Sequence, residues 1–276
     1  YSGISGDMTV AALLDLGADE QILRKAIASL PVGGFEIAVT RKVKSGLDVC
    51  DFDVILDAEH ENHDHDMEYL HGHDHQHTHD HEHVHEDGSV HTHEHHHHDH
   101  SHEHHHDHGH HHEHRGLHEI LHIIEHADMT ERAKETAVRI FQILAEAESK
   151  AHGVPADQVH FHEVGAVDSI VDILAVAVCL DNLDITEVIV PFLCEGQGSI
   201  RCQHGIIPVP VPAVVNIAQA HGLTLKPTGV QGELVTPTGA AIVAAVRTSD
   251  KLPQTCRIVK IGMGAGKREY EGTGIL

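Results

Sequence analysis

The chain has 276 residues, 18 Lys and Arg against 43 Asp and Glu, and a formal net charge of −25 with histidine neutral. Residues 60–114 hold 14 of the acids and no Lys or Arg, which leaves −11 elsewhere and argues against nucleic acid as a partner. The longest apolar run, Ile173 to Leu180, falls far short of the roughly 18 residues a membrane span needs. Five cysteines (Cys50, Cys179, Cys194, Cys202, Cys256), widely spaced, odd in number and with no CxxC pair, argue against a disulfide framework and a structural zinc knuckle, and they suit a reducing cytoplasm.

The chain starts at Tyr1 rather than Met, already inside a motif-like loop, so further N-terminal residues are expected to precede it. After the loop Ser2-Gly3-Ile4-Ser5-Gly6-Asp7, a helix is predicted over Met8 to Leu16, with Ser5 or Asp7 as cap and Gly17 as stop. Ile22, Leu23, Ala26, Ile27 and Leu30 mark a second helix. Strands are predicted over Phe35 to Val43 and Val49 to Leu56, the latter alternating Phe52, Val54 and Leu56 against Asp51 and Asp53.

A histidine tract then extends from the strand end. It holds 27 of the 35 histidines, and from His71 to His85 they occupy every second position. With so few apolar residues it cannot bury a core, so it is expected to be disordered when empty. Interleaved imidazole and carboxylate ligate nickel, zinc, copper and cobalt, with His71, His73, His95, His96, His97 and His98 as representative ligands. A purification tag would sit at a terminus and lack the acids. Storage or detoxification unrelated to the folded part stays open on composition alone. Protonation below about pH 6.5 should release the metal.

Helical periodicity resumes at Leu117, Ile120, Leu121 and Ile124 and continues from Glu131 to Lys150 behind Thr130 as cap. Val159 to Val164 reads as a strand feeding a loop at Gly165, and Val167 to Leu180 as a buried helix. The strand-loop-helix unit recurs: Val188 to Leu193 leads to Val211 to Ala220, Glu233 to Thr236 leads to Ala240 to Val246, and Arg257 to Ile261 is a last strand. The fold class is therefore α/β or α+β, a mixed sheet with packed helices. Residues 1–59 and 115–276 form one folded domain, interrupted by the insertion at 60–114.

Three constellations carry chemistry. In His160-Phe161-His162-Glu163-Val164-Gly165-Ala166-Val167-Asp168, followed by Asp172, the two histidines share one face of an extended segment. Asp168 and Asp172 share a helix face. Together they could hold a divalent ion or move protons at a strand-to-helix junction, or Asp168 could simply cap the helix. In Glu195 to Gly205, glycines permit close backbone approach, and Cys202 with His204 offers two metal ligands, although a plain hairpin accounts for the same residues. In Glu233-Leu234-Val235-Thr236-Pro237-Thr238-Gly239, hydroxyls and N–H groups meet at a helix start, which suits a phosphate and equally suits capping. Gly262 to Lys267 lacks the first glycine of a Walker A loop and is not read as nucleotide-binding.

The segments SGISGDM (Ser2 to Met8), FHEVGAVDSIVDI (Phe161 to Ile173), HGIIPVPVPA (His204 to Ala213) and ELVTPTGAA (Glu233 to Ala241) closely resemble the LarC family, in the family's order. The resemblance implies nickel insertion into pyridinium-3,5-bisthiocarboxylic acid mononucleotide, with CTP consumed in the presence of Mn or Mg, to make the nickel-pincer cofactor of lactate racemase. It implies Asp7, His160, His162, Glu163 and Asp168 as catalytic candidates, His204 and Cys202 as metal ligands, and Thr236, Thr238 and Gly239 near the substrate's phosphate. Implied partners are the mononucleotide, a C-terminal LarC domain that binds CTP and lies beyond Leu276, and the racemase apoprotein. A homo-oligomer is expected. The rival reading is a non-catalytic nickel or zinc storage protein or metallochaperone.

Overall fold

The computed structural model describes residues 3–57, 83–84, 90–91, 116–156, 159, 167–202, 205–270 and 274–276. In chain order these form α1 (Gly6–Leu16), α2 (Glu20–Ala28), β1 (Phe35–Lys44), β2 (Leu47–Leu56), β3 (His83–Val84), β4 (Val90–His91), α3 (Leu117–His126), α4 (Glu131–His152), α5 (Val167–Asn182), β5 (Leu193–Gln197), β6 (Ser199–Cys202), β7 (Gly205–Pro208), α6 (Pro212–His221), β8 (Leu225–Gln231) and α7 (Pro237–Val246). The chain divides into residues 1–64 with 113–276, and residues 65–112. In the second unit β3 pairs antiparallel with β4, His83 opposite His91 and Val84 opposite Val90. The histidine tract's expected disorder, and its ligands His71, His73, His95, His96, His97 and His98, lie outside the described residues.

The first unit is built around α5. Its sequence is apolar on nearly every side, and such a helix is stable only when other elements surround it. Accordingly Val167, Ile170, Val171, Ile173, Leu174, Ala175, Val176, Ala177, Val178 and Cys179 are all buried. α1, α2, α4, α7 and β2 pack around it. Each fully buried aliphatic side chain contributes about 1.5–3 kcal/mol. Burial also pushes the Cys179 thiol up to about 12, so it stays protonated. α4 packs against α3, α5, α6 and α7, and buries Ile140, Phe141 and Leu144. Its start is set by Thr130, whose hydroxyl accepts the Ala133 N–H at 3.1 Å and donates to Asp181 of α5 at 2.7 Å. Gly153 ends it in the left-handed conformation.

The helices follow their periodicity closely, whereas the strands differ from expectation in four places. Among the described residues there is no single mixed sheet but four two-stranded ladders: β1-β2, β3-β4 and β6-β7 antiparallel, and β5-β8 parallel. The strand expected over Val188 to Leu193 begins where that range ends, at Leu193, with only a single bridge from Ile189 to Ser249 before it. Its partner is β8, which contains Pro227 and Gly229 and so carries no strand signature. The strand expected over Glu233 to Thr236 is one parallel bridge, Val235 to Ile4. Arg257 to Ile261 forms no strand and has no ladder partner among the described residues, leaving Val259 83 % exposed. Pairing occurs instead at Gly264 with Cys50 and at Ala265 with Ile275. Most of the Val159 to Val164 strand lies outside the described residues.

The alternation in β2 also breaks at one acid. Asp51, expected on the solvent side, is buried and pairs with the Lys42 ammonium at 2.8 Å. Thr40, directly opposite, donates to the same carboxylate oxygen. Cross-strand neighbours thus cover a charge that period-2 reasoning leaves in water.

Candidate functional site

The loop before α1 is held by backbone. Gly3 has a φ of +94°, and a Cβ there would stand 2.0 Å from the Leu234 carbonyl oxygen. Ile4 N–H donates to Leu234 C=O at 2.8 Å, and Thr236 N–H donates to Ile4 C=O at 3.1 Å. The first and last sequence motifs are therefore neighbours. The extended Ser5 starts α1 as its N-cap, and its hydroxyl donates to Asp7 Oδ1 in the first turn. A carboxylate at that end of a helix is favoured by the macrodipole.

α5 brings the second motif to the same place. Position 6 must be glycine because a Cβ would come within 2.6 Å of Asp172 Oδ2. The Asp172 carboxyl accepts the Asp7 N–H, while burial, with the nearby Asp7 and Asp168 charges, pushes it well above the usual carboxylate range. Asp168 and Asp172 share a face, as their spacing predicts.

A lysine completes this junction. In Gly262-Met263-Gly264-Ala265-Gly266 the glycines recur at every second residue and lie along α1. A Cβ at Gly262 would stand 2.1 Å from Ala12 C=O, one at Gly264 2.0 Å from Met8 C=O, and one at Gly266 2.9 Å from Met8 Sδ. The strap is tied to β2 through Cys50 N–H to Met263 C=O at 3.0 Å and Ala265 N–H to Cys50 C=O at 2.8 Å. It delivers Lys267, whose ammonium lies 2.7 Å from Asp53 Oδ1. Burial alone would lower the Lys267 pKa; the Asp53 hydrogen bond and the negative charges of Asp7, Asp53 and Asp172 outweigh it and hold the group protonated.

A second carboxylate joins the motifs from behind. Glu195 in β5 is 1 % exposed. Its Oε1 accepts the N–H groups of Gly196 at 2.7 Å, Leu234 at 2.9 Å and Val235 at 3.1 Å. Its Oε2 is buried with no hydrogen-bond partner among the described residues. Burial raises its pKa, and the three N–H bonds offset only part of that rise. Beside it, the Arg268 guanidinium pairs with Glu233 at 2.8 Å and the Tyr270 hydroxyl donates to Glu233 C=O at 2.6 Å.

Of the sequence candidates, Asp7 and Asp168 meet at the α1-α5 junction. Thr236 caps α7: its hydroxyl accepts the Gly239 N–H at 3.1 Å. Thr238 is buried in the same turn, and Gly239 is required because a Cβ would stand 2.3 Å from Ile4 C=O. Cys202 is half-buried beside the β6-β7 turn. His160, His162, Glu163 and His204 lie outside the described residues. Lys267, Asp53 and Glu195 were not candidates, although the alternating glycines before Lys267 were a legible sign of close backbone packing. No group of three or more His, Cys, Asp or Glu among the described residues is gathered to hold a metal ion. A groove of about 390 Å³ lined by Ile22, Asp128, Met129, Thr130, Asp181 and Asn182 sits at the opposite end of α5, about 20 Å along the helix. No helix among the described residues is long and apolar enough to cross a membrane.

These features define a mixed α/β protein in which the first, second and fourth sequence motifs meet beside a carboxylate-lysine junction. The nickel insertion protein family matches the chain over residues 1–276, and the chain belongs to that family. It is 48 % identical to the pyridinium-3,5-bisthiocarboxylic acid mononucleotide nickel insertion protein of Alkaliphilus metalliredigens over 276 residues, covering all of this chain and 58 % of the relative. It is 37 % identical to the protein of the same name from Geobacillus kaustophilus over 270 residues, 98 % of this chain and 55 % of the relative. It is 33 % identical to a putative nickel insertion protein of Dictyoglomus thermophilum over 276 residues, all of this chain and 58 % of the relative. The chain thus spans a little over half the length of these relatives. No solved structure matches it.

Proposed function

We propose that this chain takes part in inserting nickel into pyridinium-3,5-bisthiocarboxylic acid mononucleotide, forming the nickel-pincer cofactor of lactate racemase. The observation that supports this best is the 48 % identity to the Alkaliphilus protein over every residue of the chain. Nickel is the cargo. Residues 60–114 serve as its local reservoir, a histidine-rich insertion within the domain formed by 1–59 and 115–276. To enter the substrate the ion must shed imidazole and carboxylate ligands and gain two sulfurs and a carbon, and the proton on that carbon must pass to a base.

Asp7 is the base in this reading. It is fixed by Ser5, and its pairing with Asp172 and proximity to Lys267 set it in a partly buried, charged junction. Asp168, His160, His162 and Glu163 act as weak transient ligands, with Cys202 and His204 receiving the arriving ion. Thr238 at the start of α7, with Thr236 and Gly239, faces the substrate's phosphate, for which a helix N-terminus is suited. CTP with Mn or Mg is bound by the part of the relatives that this chain does not match, and the reaction is a lyase-class cyclometallation. The assembly is a cytoplasmic homo-oligomer that hands the cofactor to the racemase apoprotein.

The test combines the chain with the remaining part of the Alkaliphilus relative, the mononucleotide, Ni²⁺, CTP and Mn²⁺, and looks for the nickelated product by mass spectrometry. Product is expected, and Asp7→Asn should slow its formation about 10²–10⁴-fold while nickel bound per chain stays constant. If the full-length relative makes product and this combination makes none, the chain is a storage protein or metallochaperone instead.

A further inference from the structure

α3 is the first helix after the histidine tract, and it carries three histidines of its own at positions 118, 122 and 126. Their spacing of four puts them on one face. The opposite face, Ile120, Ile123 and Ile124, is buried, and α3 packs against α4, so the histidine face is held outward by the core. All three histidines are exposed.

The His122 and His126 rings are stacked, with centroids 4.2 Å apart and planes 29° from parallel. Their tautomers are partly decided by a backbone contact. His126 Nδ1 lies 2.8 Å from the His122 carbonyl oxygen. A carbonyl can only accept, so Nδ1 carries the hydrogen and the neutral ring presents its lone pair at Nε2. A histidine whose other nitrogen donates to a backbone carbonyl is prepared as a metal ligand, because the bond fixes the ring and raises the basicity of the free nitrogen.

We propose that His122 and His126 form a two-imidazole site for a late first-row divalent cation, Ni²⁺ in particular. An ion held at about 2.1 Å by both rings needs their nitrogens about 3 Å apart, which rotation of the exposed His122 side chain supplies while His126 keeps its backbone bond. Two protein ligands leave the remaining positions to water or to other imidazoles, so the ion is held loosely and exchanges readily. Imidazole selects nickel, copper and zinc over magnesium. In sequence the site follows the tract closely, since the last tract histidine, His114, is four residues before His118. The proposal concerns metal binding and holds whether or not the chain inserts nickel.

The test is amide hydrogen exchange on the full chain, resolved by peptide, with NiCl₂ added and MgCl₂ as control. An ion bridging one turn of α3 slows opening of residues 117–126, about 100-fold when free nickel is one hundred times its dissociation constant. His122→Gln and His126→Gln, both at exposed positions, should abolish that protection while exchange in α4 without metal stays as in the wild type. Binding by the tract alone cannot reproduce this, since it would protect α3 equally in all three proteins. Absence of nickel-dependent protection of α3 in the wild type, or equal protection in the two variants, overturns the proposal.

Discussion

Replacing Glu195 separates its hydrogen-bonding role from its charge. Glu195→Ala removes the single oxygen that accepts three buried N–H groups, from Gly196, Leu234 and Val235. Each buried donor left unpaired costs about 1–3 kcal/mol, and water entering the vacated space repays part of it, so the expected loss is about 3–5 kcal/mol. For a chain of this size that corresponds to a fall of roughly 10 °C in melting temperature. Glu195→Gln keeps a carbonyl for the same three donors and removes the cost of burying a negative charge. Because burial raises the Glu195 pKa above its unfolded value, its contribution to stability is fully present below the unfolded pKa and is lost as pH rises through the folded one. The amide should therefore melt at or above the wild-type temperature at about pH 8. Circular dichroism melts of the three proteins at two pH values test this. An Ala variant melting within about 2 °C of wild type, or a Gln variant falling as far as the Ala variant, refutes the reasoning.

Three further outcomes are expected. Gly264→Ala places a Cβ 2.0 Å from Met8 C=O and 2.7 Å from Ala12 N, both backbone atoms, so the strap must lift from α1 at a cost of about 1–3 kcal/mol; a melt unchanged from wild type would show that the close approach is not a constraint. Asp172→Asn mimics the protonated carboxyl that burial and the Asp7 charge favour. The stability due to Asp172 is present below its unfolded pKa and lost as pH rises through the raised folded one, so the variant's melting temperature should decline less than wild type's between about pH 5 and 8; a steeper decline contradicts the sign. Nickel bound by the full chain at neutral pH should be released on acidification through about pH 6.5, where histidine charges, as followed by equilibrium dialysis; retention of most of it at pH 5 would mean that imidazole is not the main ligand.

The junction was only partly legible in advance. Asp7 and Asp168 stand out because a carboxylate at a helix start is a recognisable local pattern, whether its task is capping or chemistry. Lys267 carries no local signal of a site, since Gly262 to Lys267 lacks the first glycine of a phosphate loop. Its glycines answer to a different constraint, the carbonyls of α1, which lie about 250 residues earlier in sequence. Glu195 has no local signature for a related reason: whether a glutamate in a glycine-rich stretch is solvated or buried depends on which backbone donors face it, and here two of the three come from residues 234 and 235.

By itself the sequence determined the helices, from apolar periodicity and from caps such as Thr130 and Gly153, which act within a few residues of themselves. The expected metal affinity of residues 60–114 likewise rests on composition alone. Only the tertiary structure decided the strand partners, the burial of Asp51, and the meeting of Ile4 with Val235 and of Asp7 with Asp172 and Lys267. Those are contacts between segments far apart in the chain, set by how α5 is enclosed, and no local pattern encodes them.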